Sequence, residues 1–185
     1  MNTYLDRGRN GLLCAVMTAI ALAATGCHVE NPDTPTPPSA AAQALAELKA
    51  LPSFEETKVQ VQDVMNEITT AASKIIPSIT WETLDEGSTG TCQQPYEQTD
   101  GKRYFLPDAV AVRVSVSDLA WTKIVEAAKA AAAKIGATNV QVIRDQPGDH
   151  DVWFSGPTGT FIKVGYRGNL VVSGYTGCRL PRDKK

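Results

Sequence analysis

The stretch Val152-Trp-Phe-Ser-Gly-Pro-Thr-Gly-Thr-Phe-Ile-Lys-Val-Gly-Tyr-Arg-Gly-Asn-Leu-Val-Val-Ser-Gly-Tyr175 decides the fold. It holds three short apolar segments rich in β-branched and aromatic residues, Val152 to Ser155, Thr160 to Tyr166 and Leu170 to Tyr175. Gly156-Pro-Thr-Gly159 and Arg167-Gly-Asn169 separate them. Linkers that short reverse the chain but cannot carry a parallel crossover, so these strands must be antiparallel neighbours. A fourth strand, Val140 to Arg144, precedes them, and Asp145-Gln-Pro-Gly-Asp-His-Asp151 reads as its hairpin turn.

Working outward, two segments carry helical periodicity. Ser53-Phe-Glu-Glu56 has the form of a capping box, and Val61, Met65, Ile68, Ala72 and Ile75 then recur at helical spacing until Pro77. Ser117 or Asp118 opens a second helix with the stripe Trp121, Val125, Ala128, Ala132 and Ile135, and Gly136 is placed to cap its C-terminus. The alanine-rich stretch Ser39 to Leu51 reads as a short helix ended by Pro52. Ile79 to Leu84 and Val110 to Val116 read as strands, the latter with Val110, Val112, Val114 and Val116 on one face and Arg113 and Ser115 on the other. One-sided helices need a sheet face to bury their stripes. The expected fold is therefore α+β: two amphipathic helices packed on one face of a mostly antiparallel sheet of about five or six strands.

With 185 residues the chain is one domain with a hydrophobic core, and 43% hydrophobic against 21% charged residues excludes disorder throughout. A formal charge of −2 lacks the basic excess that gathers phosphate backbones, so no nucleic-acid partner is expected.

The N-terminus gives the cellular address. Arg7 and Arg9 precede the apolar run Gly11 to Ala24, then Thr25-Gly26-Cys27. Fourteen apolar residues rise only about 21 Å as a helix, short of a hydrocarbon core of roughly 30 Å. This reads as a signal peptide, residues 1–26, removed after Gly26. Small residues before Cys27 match a lipobox, so Cys27 is expected to carry the lipid anchor (diacylglycerol plus an acyl chain such as palmitate) that holds the protein at the outside of the cytoplasmic membrane. Four prolines within His28 to Pro38 make residues 27–44 a Pro/Thr-rich stalk, and Thr34 and Thr36 suit an O-glycosylated tether. The single α+β domain is expected over residues 45–185.

Candidate chemistry is sparse. The histidines are His28, in the stalk, and His150, placed in a turn, and no Gly-x-Ser-x-Gly, Gly-x-Gly-x-x-Gly, Walker or Cys-x-x-Cys motif is present. No catalytic residue, metal site or cofactor is assigned. Asp149-His150-Asp151 offers metal-binding groups, but adjacent residues in a turn or strand do not converge on one centre. Phe154-Ser-Gly-Pro-Thr-Gly159 and Val172-Ser-Gly-Tyr-Thr-Gly177 share Ser-Gly-x-Thr-Gly, offset by 18 residues. Ser155, Thr158, Ser173 and Thr176 are therefore candidate ligand-facing hydroxyls, against the simpler reading that glycine and hydroxyl residues serve tight turns. Trp81, Trp121 and Trp153 read as core. Cys14 leaves with the signal and Cys27 takes lipid, so Cys92 and Cys178 are expected to form a disulfide in the exported domain.

The lipobox, the N-terminal helix, Asp149-x-Asp151-Val-Trp-Phe, the paired glycine turns and the closing Ser173-Gly-Tyr-Thr-Gly-Cys178-Arg together resemble the LppA-like lipoproteins of mycobacteria and related actinobacteria. The resemblance implies a cell-envelope lipoprotein of undetermined activity and supplies no catalytic residue. The reading that follows is a non-enzymatic surface module, membrane-held through Cys27, that binds an envelope glycan, lipid or partner protein. The alternatives are a wall-modifying enzyme using Asp145, Asp149 and Asp151, and a purely structural or assembly accessory.

Overall fold

The computed structural model describes residues 34–185. The apolar run, Gly26 and Cys27 lie outside the described residues. Among these, three α-helices and one eight-stranded sheet form, α1 Pro38–Ala50, α2 Phe54–Ile75, β1 Trp81–Thr83, β2 Ser88–Thr91, β3 Lys102–Phe105, β4 Ala109–Ala111, α3 Asp118–Ala133, β5 Asn139–Gln146, β6 Asp149–Ser155, β7 Phe161–Tyr166 and β8 Leu170–Tyr175. The class is α+β as expected, with one helix and two or three strands more than the helix pair and strand count anticipated.

The C-terminal meander is as read: β5, β6, β7 and β8 pair consecutively and antiparallel. The full sheet order is β1-β4-β8-β7-β6-β5, with β3 beside β8 at Tyr175 and β2 outside β3. β2 and β3 were illegible because Ser-Thr-Gly-Thr has no apolar alternation, and they pair chiefly with each other.

Helix α2 starts where its sequence dictates. The Ser53 hydroxyl accepts from the Glu56 N–H at 3.2 Å, and the Glu56 carboxylate accepts from the Ser53 N–H at 2.9 Å. These hydrogen bonds from the Ser53 backbone and hydroxyl hold the Glu56 carboxyl below its ordinary range. Helix α3 ends in a Schellman motif: Gly136 takes φ +74°, its N–H reaches Ala133 O, and Ala137 N–H reaches Ala132 O. Its buried stripe is Trp121, Ile124, Ala128, Ala131 and Ala132, so Ile124 replaces the half-buried Val125 at the centre.

Both helices pack on one sheet face. Val61, Met65 and Ile68 from α2 and Trp121, Ile124 and Ala128 from α3 share a core with Val152, Phe154, Ile162, Val164, Leu170 and Val172. A Cβ at Gly174 would lie 2.6 Å from both Met65 Sδ and Val61 Cγ1, so glycine there lets α2 lie directly on β8.

The long strand expected over 110–116 stops at Ala111. Arg113 turns to φ +52° with its N–H donated to Asn169 Oδ1 at 2.8 Å, and Val112 is 41% exposed. The chain leaves the sheet there, and Val114 and Val116 are held by the Tyr166 hydroxyl instead, which donates to Val114 O at 3.1 Å and accepts from Val116 N–H at 3.2 Å.

The compact body begins at Pro35, ahead of the boundary expected at residue 45. Pro38 occupies the first turn of α1, where a missing N–H costs nothing. Thr36 is buried, and its N–H donates to Glu97 Oε1 at 2.8 Å, so it is unavailable as an exposed glycosylation site. These Thr36 contacts pull the Glu97 carboxyl down to about 2.

Candidate functional site

The two Ser-Gly-x-Thr-Gly turns are spent on each other. Cys178 N–H donates to Thr158 O at 3.0 Å, and the buried Thr160 hydroxyl donates to Thr176 O at 2.8 Å. Thr176 is fully buried, its hydroxyl accepting from Tyr104 N–H at 2.9 Å and donating to Gly177 O. The buried Arg179 guanidinium completes the lock, donating to the hydroxyls of Thr57, Thr158 and Thr160 and to Cys178 O. All four acceptors are neutral, and burial lowers the Arg179 pKa to about 10. Ser155 accepts from Asn139 Nδ2 at 3.1 Å. Of the four candidate residues, Ser173 and Thr158 line hollows, and the Thr158 hydroxyl is already engaged by Arg179.

Cys92 and Cys178 form the expected disulfide, with Cα atoms 5.5 Å apart and a sequence separation of 86. It closes a small second core with Leu48 and Leu180, against which α1 rests through Leu45. Tyr96 packs there too and donates its hydroxyl to Glu47 at 2.8 Å. Burial, then that carboxylate, push the Tyr96 phenol up to about 12.

Asp149-His150-Asp151 forms part of strand β6 and not a solvated turn. Strand pleating sends His150 to the helix side, where it is buried, stacked on Trp121 at 4.7 Å and bonded through Nδ1 to Asp145 at 2.9 Å. Asp149 and Asp151 project from the opposite face, Asp149 toward Arg144 and Asp151 toward Lys163 and the Trp153 indole N–H. The three carboxylates proposed for an enzyme are thereby divided between two faces and three sets of partners. Among the described residues no group of three or more His, Cys, Asp or Glu is placed to hold a metal ion.

The face without helices carries the group of residues that sequence reasoning missed. Trp153, read as core, lies there half-buried. Cross-strand pairing puts Trp153 of β6 opposite Lys163, Phe161 of β7 opposite Tyr175, and Tyr175 of β8 opposite Phe105 of β3. The rings form one diagonal band. Trp153 and Phe161 stack at 5.2 Å, Phe161 and Tyr175 lie at 5.1 Å, and Tyr175 and Phe105 stack at 4.3 Å. Lys163 Nζ stands 5.6 Å over the Trp153 ring. Two hollows border the band, of about 380 and 430 Å³, and a third of about 310 Å³ shares Asp108 and Ser173 with the first. The first is lined by Asp85, Asp108, Phe105, Phe161 and Ser173. The second, beyond Tyr175, is lined by Arg103, Tyr96, Thr158 and the disulfide.

Compared with known proteins, the sequence pattern of the LppA family, described as "Lipoprotein confined to pathogenic Mycobacterium", matches residues 29–182. The chain belongs to the LppA lipoprotein family. Its fold is similar to the crystal structure of the lipoprotein LppA from Mycobacterium tuberculosis, with TM-score 0.62 at 16% identity over 76% of this chain and 86% of that one. A DUF4853 family protein from Actinomyces odontolyticus matches with TM-score 0.49 at 16% identity, covering 72% of each chain. No curated protein matches the chain. At 16% identity the likeness to the solved LppA structure concerns fold, and the family is one of lipoproteins of undetermined activity. Among the described residues no helix is long and apolar enough to cross a membrane.

Proposed function

We propose that this LppA-family protein is an envelope module, cleaved after Gly26, held by lipid on Cys27 at the outer side of the cytoplasmic membrane, that binds an envelope component through its helix-free sheet face. Membership of a lipoprotein family supports the anchor, together with the basic start, the short apolar run and the small residues before Cys27. The observation that carries the binding reading is the aromatic band. Four rings pack in stacked and tilted contacts on one sheet side, and Phe105 at the end of the band is 42% exposed. A monomer gains no core stability by lining solvent with rings, whereas contiguous apolar patches rimmed by polar groups are where proteins meet ligands.

The test uses the full-length lipoprotein in membranes. Mass spectrometry is expected to find acylated Cys27 at the mature N-terminus, and Cys27→Ala to abolish processing and membrane retention. Envelope fragments should sediment with the wild type and lose most of that association with Phe105→Ala combined with Trp153→Ala. Undiminished co-sedimentation by a folded double variant would refute the binding reading.

A further inference from the structure

Resting on that reading of the sheet face, we propose that its ligand is an acidic glycan, whose sugar rings lie against Trp153, Phe161 and Phe105, the solvent-reaching rings around the buried Tyr175, and whose anionic group docks on Arg103. A sugar ring has an apolar C–H face and a rim of hydroxyls, each a donor and an acceptor. The band supplies the complement to the first as an apolar strip, its rings stacked on one another and presenting Phe105, Phe161 and Trp153 at the surface. Its border supplies the complement to the second. Asp85, Asp108 and Ser173 line the hollow beside Phe105 and Phe161. Asp85 and Asp108 take part in no ion pair among the described residues; Asp85 Oδ1 accepts from Gly87 N–H at 2.9 Å, which leaves its other oxygen and the Asp108 carboxylate to accept hydroxyl donors.

Charge complementarity fixes the acidic character. On the far side of Tyr175 lies Arg103, whose guanidinium has no carboxylate partner among the described residues. Its Nε is buried without a hydrogen-bond acceptor, and one terminal nitrogen reaches only the Tyr175 hydroxyl, at 3.5 Å. A second guanidinium, that of Arg179, is bonded to Thr158 and Cys178, which line the same hollow, and all its acceptors are neutral. No carboxylate lines this hollow, and Glu47 accepts from the Tyr96 hydroxyl at 2.8 Å. The planar arginine fork matches a carboxylate or a phosphate, so the anion is either a uronic acid or a sugar phosphate.

The experiment titrates full-length lipoprotein in detergent micelles with polygalacturonate, a phosphorylated mannan, neutral dextran and polyglutamate, following tryptophan fluorescence and calorimetry. One of the two acidic glycans is expected to bind at least about tenfold more tightly than dextran, in line with a charge-assisted hydrogen bond, and which one identifies the anion. Arg103→Gln should erase that preference while leaving dextran binding within about twofold, and Phe105→Ala should weaken every glycan, with unchanged melting as the folding control. Polyglutamate binding as tightly as the acidic glycans would overturn the proposal, because charge alone would explain it. Equal affinity for dextran would overturn the role of Arg103. If no glycan binds and envelope association survives periodate but not protease, the ligand is a protein: the glycan assignment then fails while the binding face stands. If Phe105→Ala combined with Trp153→Ala leaves envelope association intact, both fail.

Discussion

Replacing Gly177 by alanine tests whether the repeated Ser-Gly-x-Thr-Gly turns are a structural lock. Gly177 has φ +66°, and a Cβ there would sit 2.5 Å from Thr158 O and Thr160 N and 2.9 Å from Gly159 C. These are backbone atoms with no rotamer to escape into, so the 158–160 segment must shift. Left-handed backbone costs a non-glycine residue about 1 kcal/mol or more. The shift also disturbs the bonds from Cys178 N–H to Thr158 O and from the Thr160 hydroxyl to Thr176 O, each worth about 1 kcal/mol net. The expected loss is about 3 kcal/mol. Gly168→Ala is the matched control, since Gly168 has φ +77° with nothing within 4 Å of the added Cβ and incurs only the backbone strain. Both variants gain equally from a stiffer unfolded chain, so their difference isolates the collision. For a domain of this size about 2 kcal/mol corresponds to roughly 4–8 °C in melting temperature. Calorimetry or circular dichroism of both variants decides it. A Gly177→Ala protein melting no lower than Gly168→Ala would refute the lock.

Other outcomes follow from the same packing. Reducing the Cys92–Cys178 bond, or replacing both cysteines by serine, should cost roughly 4–5 kcal/mol in the chain-entropy account for a loop of this length, read by denaturant unfolding. Ile124→Asp buries a charge at a fully enclosed position and should abolish folding, measured by circular dichroism, whereas Val125→Asp at the half-buried neighbour should retain a cooperative transition. The pH response of the α1 region has a definite sign at each end. Glu97 has a folded pKa of about 2, so its support for the Thr36 segment is present above the unfolded carboxylate value of 4.5 and is lost as pH falls toward 2. Tyr96, raised to about 12, supports docking fully below its unfolded value of 10 and loses it as pH climbs toward 12. Limited proteolysis across residues 35–50 should accelerate in both windows.

The elements legible in the sequence were those set by local chemistry. Ser53 and Glu56 cap a helix by their own hydrogen bonds, Gly136 ends one by its φ, and the short turns at 156–159 and 167–169 dictate antiparallel pairing. The disulfide followed from elimination. What misled was local pattern overruled by distant contacts. The valines of 110–116 alternate like a strand, yet Arg113 is captured by Asn169, 56 residues away, and turns the chain out of the sheet. His150 sits two residues past Gly148 and reads as turn, but Pro147-Gly148 suffices to reverse the chain and leaves Asp149 to Asp151 in strand β6. The aromatic band was illegible for a different reason. Its members lie at 105, 153, 161 and 175, and only the register of four strands makes them neighbours. The exposed alternation of β7, with Phe161 opposite in direction to the buried Ile162, was the available signal.

The central claim is that the sheet face away from α2 and α3 is where this lipoprotein meets the envelope. Residue-level footprinting, by hydroxyl-radical labelling of the membrane-held protein with and without purified envelope fragments, tests it most directly. The account predicts protection of Phe105, Trp153 and Phe161, with Leu119 on α3 and Val142 at the β5 edge labelled equally in both states. Protection of Leu119 or Val142 with unchanged labelling of the aromatic band would contradict it.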